Sequence, residues 1–369
     1  MNNPAQSDKY ATLDGLRGIA AMIVVMYHFS DVFSPFHLDN GYLVVDLFFV
    51  MSGFVMASAY ESKLASGSVS ARRFMQLRLI RLYPLYLLGT LLGLVALLLR
   101  LPHAESHLVA TALPLALLML PCPVPIHYPD GTTSRLLYPI NEPSWSLFFE
   151  LLANLAYAFC FRFLSTRVLL AVVALSGLTL IVKEVHSGEI NGGWEFFNSH
   201  IGVVRVAYGF FFGVVLFRLR AARRRTSSAA AIGIAALFVL IFLAPVPAAM
   251  HVAFTLSIVL FAIPALVWVA ASVEPSRRVR EVFLFVGTAS YGLYMLHVPV
   301  TSLLRLAVGA LPPLSLPQIL AVDAGLMTVL VLLAALAEKA YDQPIRRRLL
   351  HGARGRRQGA AARAVAESG

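Results

Sequence analysis

The chain has 369 residues, 59% of them hydrophobic and 13% charged, and a net charge of +11. This balance excludes a soluble globular domain and predicts an all-α, polytopic integral membrane helix bundle. The positive charge sits in short clusters between apolar stretches, as in cytoplasmic loops, so nucleic acid is not an expected partner.

The N-terminal stretch MNNPAQSDKY lacks the small-residue cleavage site of a signal peptide, so the first apolar helix is expected to be retained. Windows of about 20 apolar residues mark ten candidate spans, the first at 12–34. It carries Asp14, Arg17 and His28, and charge inside a membrane helix is costly enough to imply a role. Arg17 and His28 are eleven residues apart, which returns them to within roughly 20° of one helix face with a rise of about 16 Å. The second span, 41–60, holds Asp46; Arg72, Arg73, Arg78 and Arg81 precede or enter the third, 82–101. Arg78 and Arg81 share a face at i, i+3.

An apolar run at 108–121 is shorter than a full span, is interrupted by Pro114 and closed by Pro121, and is read as re-entrant or interfacial. It belongs to a loop, 102–143, that also holds His103, His107, His127, Asp130 and Arg135; the histidines show no metal-ligand spacing, and no metal is expected. Cys122 and Cys160 fit neither a disulfide framework nor a zinc site. The remaining spans are 144–163, 167–183, 201–219, 229–245, 250–272, 282–304 and 318–340. If 108–121 does not cross, every basic cluster, including Arg277, Arg278 and Arg280 and the tail, falls on the cytoplasmic side, as do both termini. Residues 1–345 form the expected membrane domain, and 346–369 a basic, disordered tail held near anionic lipid by its arginines.

This topology sorts the polar residues by depth. Arg17, Arg78 and Arg81 gather in the inner half, while His28, Asp46, Glu142, Ser144, Glu150, His297 and Asp323 fall in the outer half. Singly, each has a bland reading: Asp46 as the partner of an arginine, Glu150 as a helix-bridging acceptor, Trp145, Tyr83 and Tyr86 as interfacial aromatics. Together they suggest chemistry. Guanidinium groups grip phosphates, so the inner pocket suits an anionic donor from the cytoplasm. A buried histidine beside a carboxylate suits a general base acting on an acceptor hydroxyl. His28 is the expected base, with Asp46 as first and Glu142 as second candidate for the orienting carboxylate, and His297 is the next residue to consider. Ser144 is expected to donate to an oxyanion or position the acceptor, with an acyl-serine as the alternative.

Five strings in order, DGLRGIAAMIVVMYH, VDLFFVMSGF, RLIRLYPLY, NEPSWSLFFE and SYGLYMLHVP, resemble the acyltransferase family 3 membrane proteins, among them O-antigen, exopolysaccharide and Nod-factor acetylases and macrolide acylases. The resemblance implies a ten-span core of the bacterial inner membrane. It also implies transfer of a small acyl group, most often acetyl, from cytoplasmic acyl-CoA to a hydroxyl of a glycan, glycolipid or other acceptor, without a permanently bound cofactor. The positions of Arg17, His28, Arg78, Arg81, Glu142 and Ser144 are those the family uses. Some members append a soluble hydrolase-like domain; a single membrane module is expected here. The alternative from the residues alone is a proton-coupled transporter using the buried His and carboxylates as a relay. It predicts discontinuous helices at related positions in two halves, and no internal repeat is visible.

Overall fold

In lipid every backbone polar group must be satisfied within its own segment, so long apolar runs become helices. The computed structural model describes residues 10–29, 38–100, 106–127, 133–188, 190–220, 224–308 and 315–351. Its helices are α1 (Ala11–His28), α2 (Val44–Ala65), α3 (Ala71–Arg100), α4 (Ser106–Leu117), α5 (Ser144–Phe159), α6 (Thr166–Ser187), α7 (Ser199–Leu219), α8 (Ser228–Leu243), α9 (His251–Ser257), α10 (Ile263–Ala271), α11 (Arg277–Val308) and α12 (Leu316–Ala337). A π-helical turn, Ile258–Ala262, joins α9 to α10, and a second, Glu338–Asp342, prolongs α12. Seven of these stretches are long and apolar enough to cross a membrane by length and composition. The protein is an all-α polytopic membrane bundle. The last helix runs on to His351, so residues 346–351 are helical where a disordered tail was expected to begin. Residues 352–369, His103 and Asp130 lie outside the described residues.

Two close pairs of parallel helices frame the interior. Between α2 and α7 a Cβ on Gly53 would collide with the Phe210 carbonyl, and one on Gly213 with the Val50 carbonyl. Glycine is required there because the backbones touch, as in small-residue membrane interfaces. The second pair is α1 and α11, where Asp14 packs on Gly287 near one end and His28 meets His297 near the other. Helix α3 runs alongside α11 in the same direction, with Leu82 bonded to Tyr291 and Gly89 against Met295. The end of the bundle nearest Arg17 is called the arginine end below, and the opposite one the histidine end.

At about 1.5 Å per residue, α4 spans about 18 Å, well short of a bilayer core. Its last turn is anchored midway along α3, where Tyr86 donates to Ala116 O (2.6 Å) and Tyr83 to Leu117 O (2.9 Å). The chain reverses at Met119, which takes a left-handed φ of 58° and accepts a hydrogen bond from Tyr138. It then returns toward α5, as the re-entrant reading of 108–121 expects. Strand β1 (Ile126–His127) pairs antiparallel with β2 (Thr133–Ser134) in this excursion. At the arginine end, β3 (Arg225–Thr226) pairs parallel with β4 (Val273–Glu274). The start of α1 is tied to that ladder by Thr12 donating to Val273 O and Ala11 N–H to Glu274. Burial raises the Glu274 carboxyl above its ordinary pKa, partly offset by the Ala11 N–H and Arg224.

Candidate functional site

Two cavities occupy the interior among α1, α2, α3, α5 and α11. The one toward the arginine end, about 150 Å³, is lined by Arg17, Arg78, Arg81, Ser146, Glu150 and Tyr294 together with apolar side chains of α2. The sequence expectation that the three arginines converge is met. They are not free cations, however. Arg17 is bonded to Asp14 (2.8 Å), to Ser290 Oγ (2.9 Å) and to Gly287 O (2.7 Å). Arg78 donates to Glu150 Oε1 (2.6 Å), which also accepts from Ser52 (2.7 Å). Arg81 bonds Asp342 (3.2 Å), lies 3.7 Å from Glu338 and stacks over Tyr291 at 5.6 Å. Those two carboxylates, four residues apart in the last helix, lie to one side, where Arg346 holds both. A guanidinium has five donors, so ion pairing leaves N–H groups for a ligand. Arg78 Nε, buried, has no hydrogen-bond partner.

The cavity toward the histidine end, about 310 Å³, is lined by His28, Glu142, Tyr42, Trp145, Asn191, Trp194 and Tyr294 among others. His28 Nδ1 lies 2.9 Å from Val24 O one turn back in its own helix. A carbonyl only accepts, so Nδ1 carries the proton and Nε2 is left with the lone pair that a general base needs. Glu142 shares this cavity and makes no side-chain hydrogen bond or ion pair among the described residues. His297 packs edge-on to His28 at 5.0 Å between ring centroids, with Nδ1 bonded to Leu293 O and Tyr294 O and Nε2 unpartnered.

Three expectations need correction. Asp46 does not face His28: both its oxygens accept from Arg205, Oδ1 from Nε (3.0 Å) and Oδ2 from Nη2 (2.8 Å). Arg205 also donates to Tyr42 O and Gly192 O, and its side chain is 0% exposed. The His28 tautomer is fixed by its own backbone instead. Glu150 belongs to the arginine cavity, because six residues of α5 carry it about 9 Å deeper than Ser144. Ser144 is buried away from both cavities, beside Tyr86 and Thr90, and its Oγ has no partner. The serine of α5 that reaches the arginine cavity is Ser146, 2.7 Å from Tyr294 OH. Two residues are about 200° apart on a helix, so Ser144 and Ser146 face nearly opposite ways.

Sequence reasoning passed over Arg205, although an arginine this far from the basic end of span 201–219 is itself a signal of a buried partner. It also passed over Tyr294, which among the described residues is the one lining both cavities. Among the described residues no group of three His, Cys, Asp or Glu side chains is placed to hold a metal ion.

The family model for acyltransferase 3, described as an acyltransferase domain, matches residues 10–337. The chain is 36% identical over 187 residues to protein 2 in picA locus of Rhizobium radiobacter, an alignment covering 47% of this chain and 94% of that protein. No solved structure matches it.

Proposed function

Since the chain belongs to the acyltransferase 3 family, we propose that this membrane acyltransferase moves an acyl group, acetyl in the simplest case, from acyl-CoA to a hydroxyl of a carbohydrate or lipid-linked carbohydrate. The observation that carries this reading is the pair of cavities meeting at one side chain, one walled by guanidinium groups and the other holding His28 and Glu142. The arginine end faces the bacterial cytoplasm, where positive loops remain, and receives the donor. Arg17 and Arg81, each with a side chain 34% exposed, meet its anionic part, while Arg78 lies deeper. A cavity of this size admits a slender acylated arm and leaves the nucleotide outside.

The acceptor hydroxyl occupies the histidine cavity and gives its proton to His28 Nε2 as its oxygen attacks the thioester carbon. The thiolate then leaves and takes the proton from the imidazolium, so His28 ends as it began. Glu142, at the edge of the same cavity, stabilises the transient imidazolium and binds acceptor hydroxyls.

The test is purified protein in lipid nanodiscs with labelled acetyl-CoA and membrane glycolipid. Acceptor-dependent release of free CoA thiol with label in the glycan is the expected result. No thiol release, with proton-coupled solute uptake by the same protein in liposomes, would replace the acyltransferase reading with the transporter one.

A further inference from the structure

If donor and acceptor enter from opposite cavities, the reacting atoms meet where the cavities share a wall. That wall is Tyr294. It lies between Phe48 (ring centroids 5.4 Å), which lines the arginine cavity, and His297 (5.9 Å), which backs His28. On α11 it is part of a stripe at i, i+4 and i+7: Ser290 holds Arg17, Tyr294 follows one turn on, and His297 meets His28 one turn further.

In the 2.7 Å Tyr294–Ser146 contact either oxygen is able to donate. Ser146 Oγ has one hydrogen and lies 3.2 Å from Pro143 O, which only accepts; with that hydrogen on the carbonyl, the tyrosine donates and the serine oxygen accepts. Tyr294 therefore holds an O–H donor at the junction of the two cavities, parked on an acceptor that tolerates its loss by bonding elsewhere. Turning that O–H from Ser146 Oγ to an arriving carbonyl oxygen exchanges one acceptor for another and leaves no buried donor orphaned.

The geometry points to Tyr294 as a catalytic residue that donates its hydroxyl to the carbonyl oxygen of the acyl group in transit. The inference rests on the acyl-transfer reading above and extends it. As the acceptor oxygen bonds to the carbonyl carbon, the π pair moves onto the carbonyl oxygen, and the Tyr294 O–H bonds the resulting oxyanion without giving up its proton. When the C=O re-forms, the C–S bond breaks, the pair leaves with sulfur, and the thiolate is protonated by His28. In a site shielded from water, a fixed donor aimed at developing charge is worth far more than in solvent.

Tyr294→Phe removes the oxygen and keeps the ring that separates the cavities. In nanodiscs it is expected to lower kcat by about 10²–10³-fold with the donor KM within about threefold of wild type. Tyr86→Phe, which loses a buried hydroxyl bond to Ala116 O outside both cavities, is the control and keeps wild-type turnover. Fluorotyrosines incorporated at 294 supply a second readout: a hydrogen-bond donor gives a rate that follows O–H acidity, whereas a wall gives a flat series. Tyr294→Phe turnover within about threefold of wild type, or a flat series in active protein, would overturn the assignment while leaving acyl transfer intact. A wild-type protein that transfers no acyl group would overturn both.

Discussion

Replacing Asp46 with leucine should expose how much of the bundle depends on one ion pair. Arg205 is 0% and Asp46 3% exposed at the side chain, and the two are joined by a bidentate contact of 3.0 and 2.8 Å. Without the carboxylate, the guanidinium keeps only the carbonyls of Tyr42 and Gly192 and the face of Trp145 at 5.7 Å. None of these cancels its charge. Removing one partner of a fully buried pair costs about 3–5 kcal/mol, whereas removing both and filling the space with apolar groups is often neutral. The expected outcome is therefore a strongly destabilised Asp46→Leu, an equally destabilised Arg205→Met, and a double variant that recovers most of the loss. The coupling energy should be at least about 2 kcal/mol, read from denaturant titration of purified protein in bicelles. If Asp46 is architectural, the double variant also regains acyl transfer, while a folded but inactive one would return Asp46 to the chemistry. A single Asp46→Leu that costs less than about 1 kcal/mol would refute the reasoning, since a charge so buried cannot lose its counterion cheaply.

His28→Ala should lower turnover by about 10²–10⁴-fold with donor binding nearly unchanged, measured by single-turnover kinetics and calorimetry. Arg78→Ala with Arg81→Ala should raise the donor Kd by about 10–100-fold, since a charge-assisted contact contributes about 1.5–3 kcal/mol; unchanged affinity in folded protein would remove the arginines from donor binding. Gly213→Leu should prevent assembly of α2 on α7, because its side chain would occupy the Val50 carbonyl, and should be visible as loss of the monodisperse species on size-exclusion chromatography. Single cysteines in 102–106 and in 124–134 should react with an impermeant thiol reagent from the same side; labelling from opposite sides would make 108–121 a span.

Much of the bundle could be read from hydropathy and charge, because lipid leaves helices as the form for long apolar runs. The convergence of Arg17, Arg78 and Arg81 was legible for a related reason: all three lie in the first part of their helices, and helix periodicity fixes their faces. What hydropathy does not carry is the identity of partners. Asp46 and Arg205 lie 159 residues apart and meet because Gly53, Gly209 and Gly213 let two helices touch, a fact about packing. Nor does depth alone carry direction. Glu142 and Ser144 are two residues apart at similar depth, yet α5 begins between them, so the glutamate enters the histidine cavity and the serine faces the re-entrant segment. Glu338 and Asp342 share a face by their i, i+4 spacing, but nothing in hydropathy shows that this face meets Arg81, which is 261 residues from Asp342 in the chain.

The parallel pair α1 and α11 has a further consequence. Arg17 and Ser290 sit together near one end of that pair, His28 and His297 near the other, and neither helix can lengthen. The interval is about 10 Å along α11, from Ser290 to His297, and about 16 Å along α1, from Arg17 to His28. Such a pair behaves as a ruler with two fixed marks. On the acyl-transfer reading, a donor gripped at the first mark brings its reactive carbon within reach of a base at the second only if the arm between matches the interval. Selectivity for the carrier is then a matter of length as well as charge, and a truncated thioester would be rejected even with its acyl group unchanged.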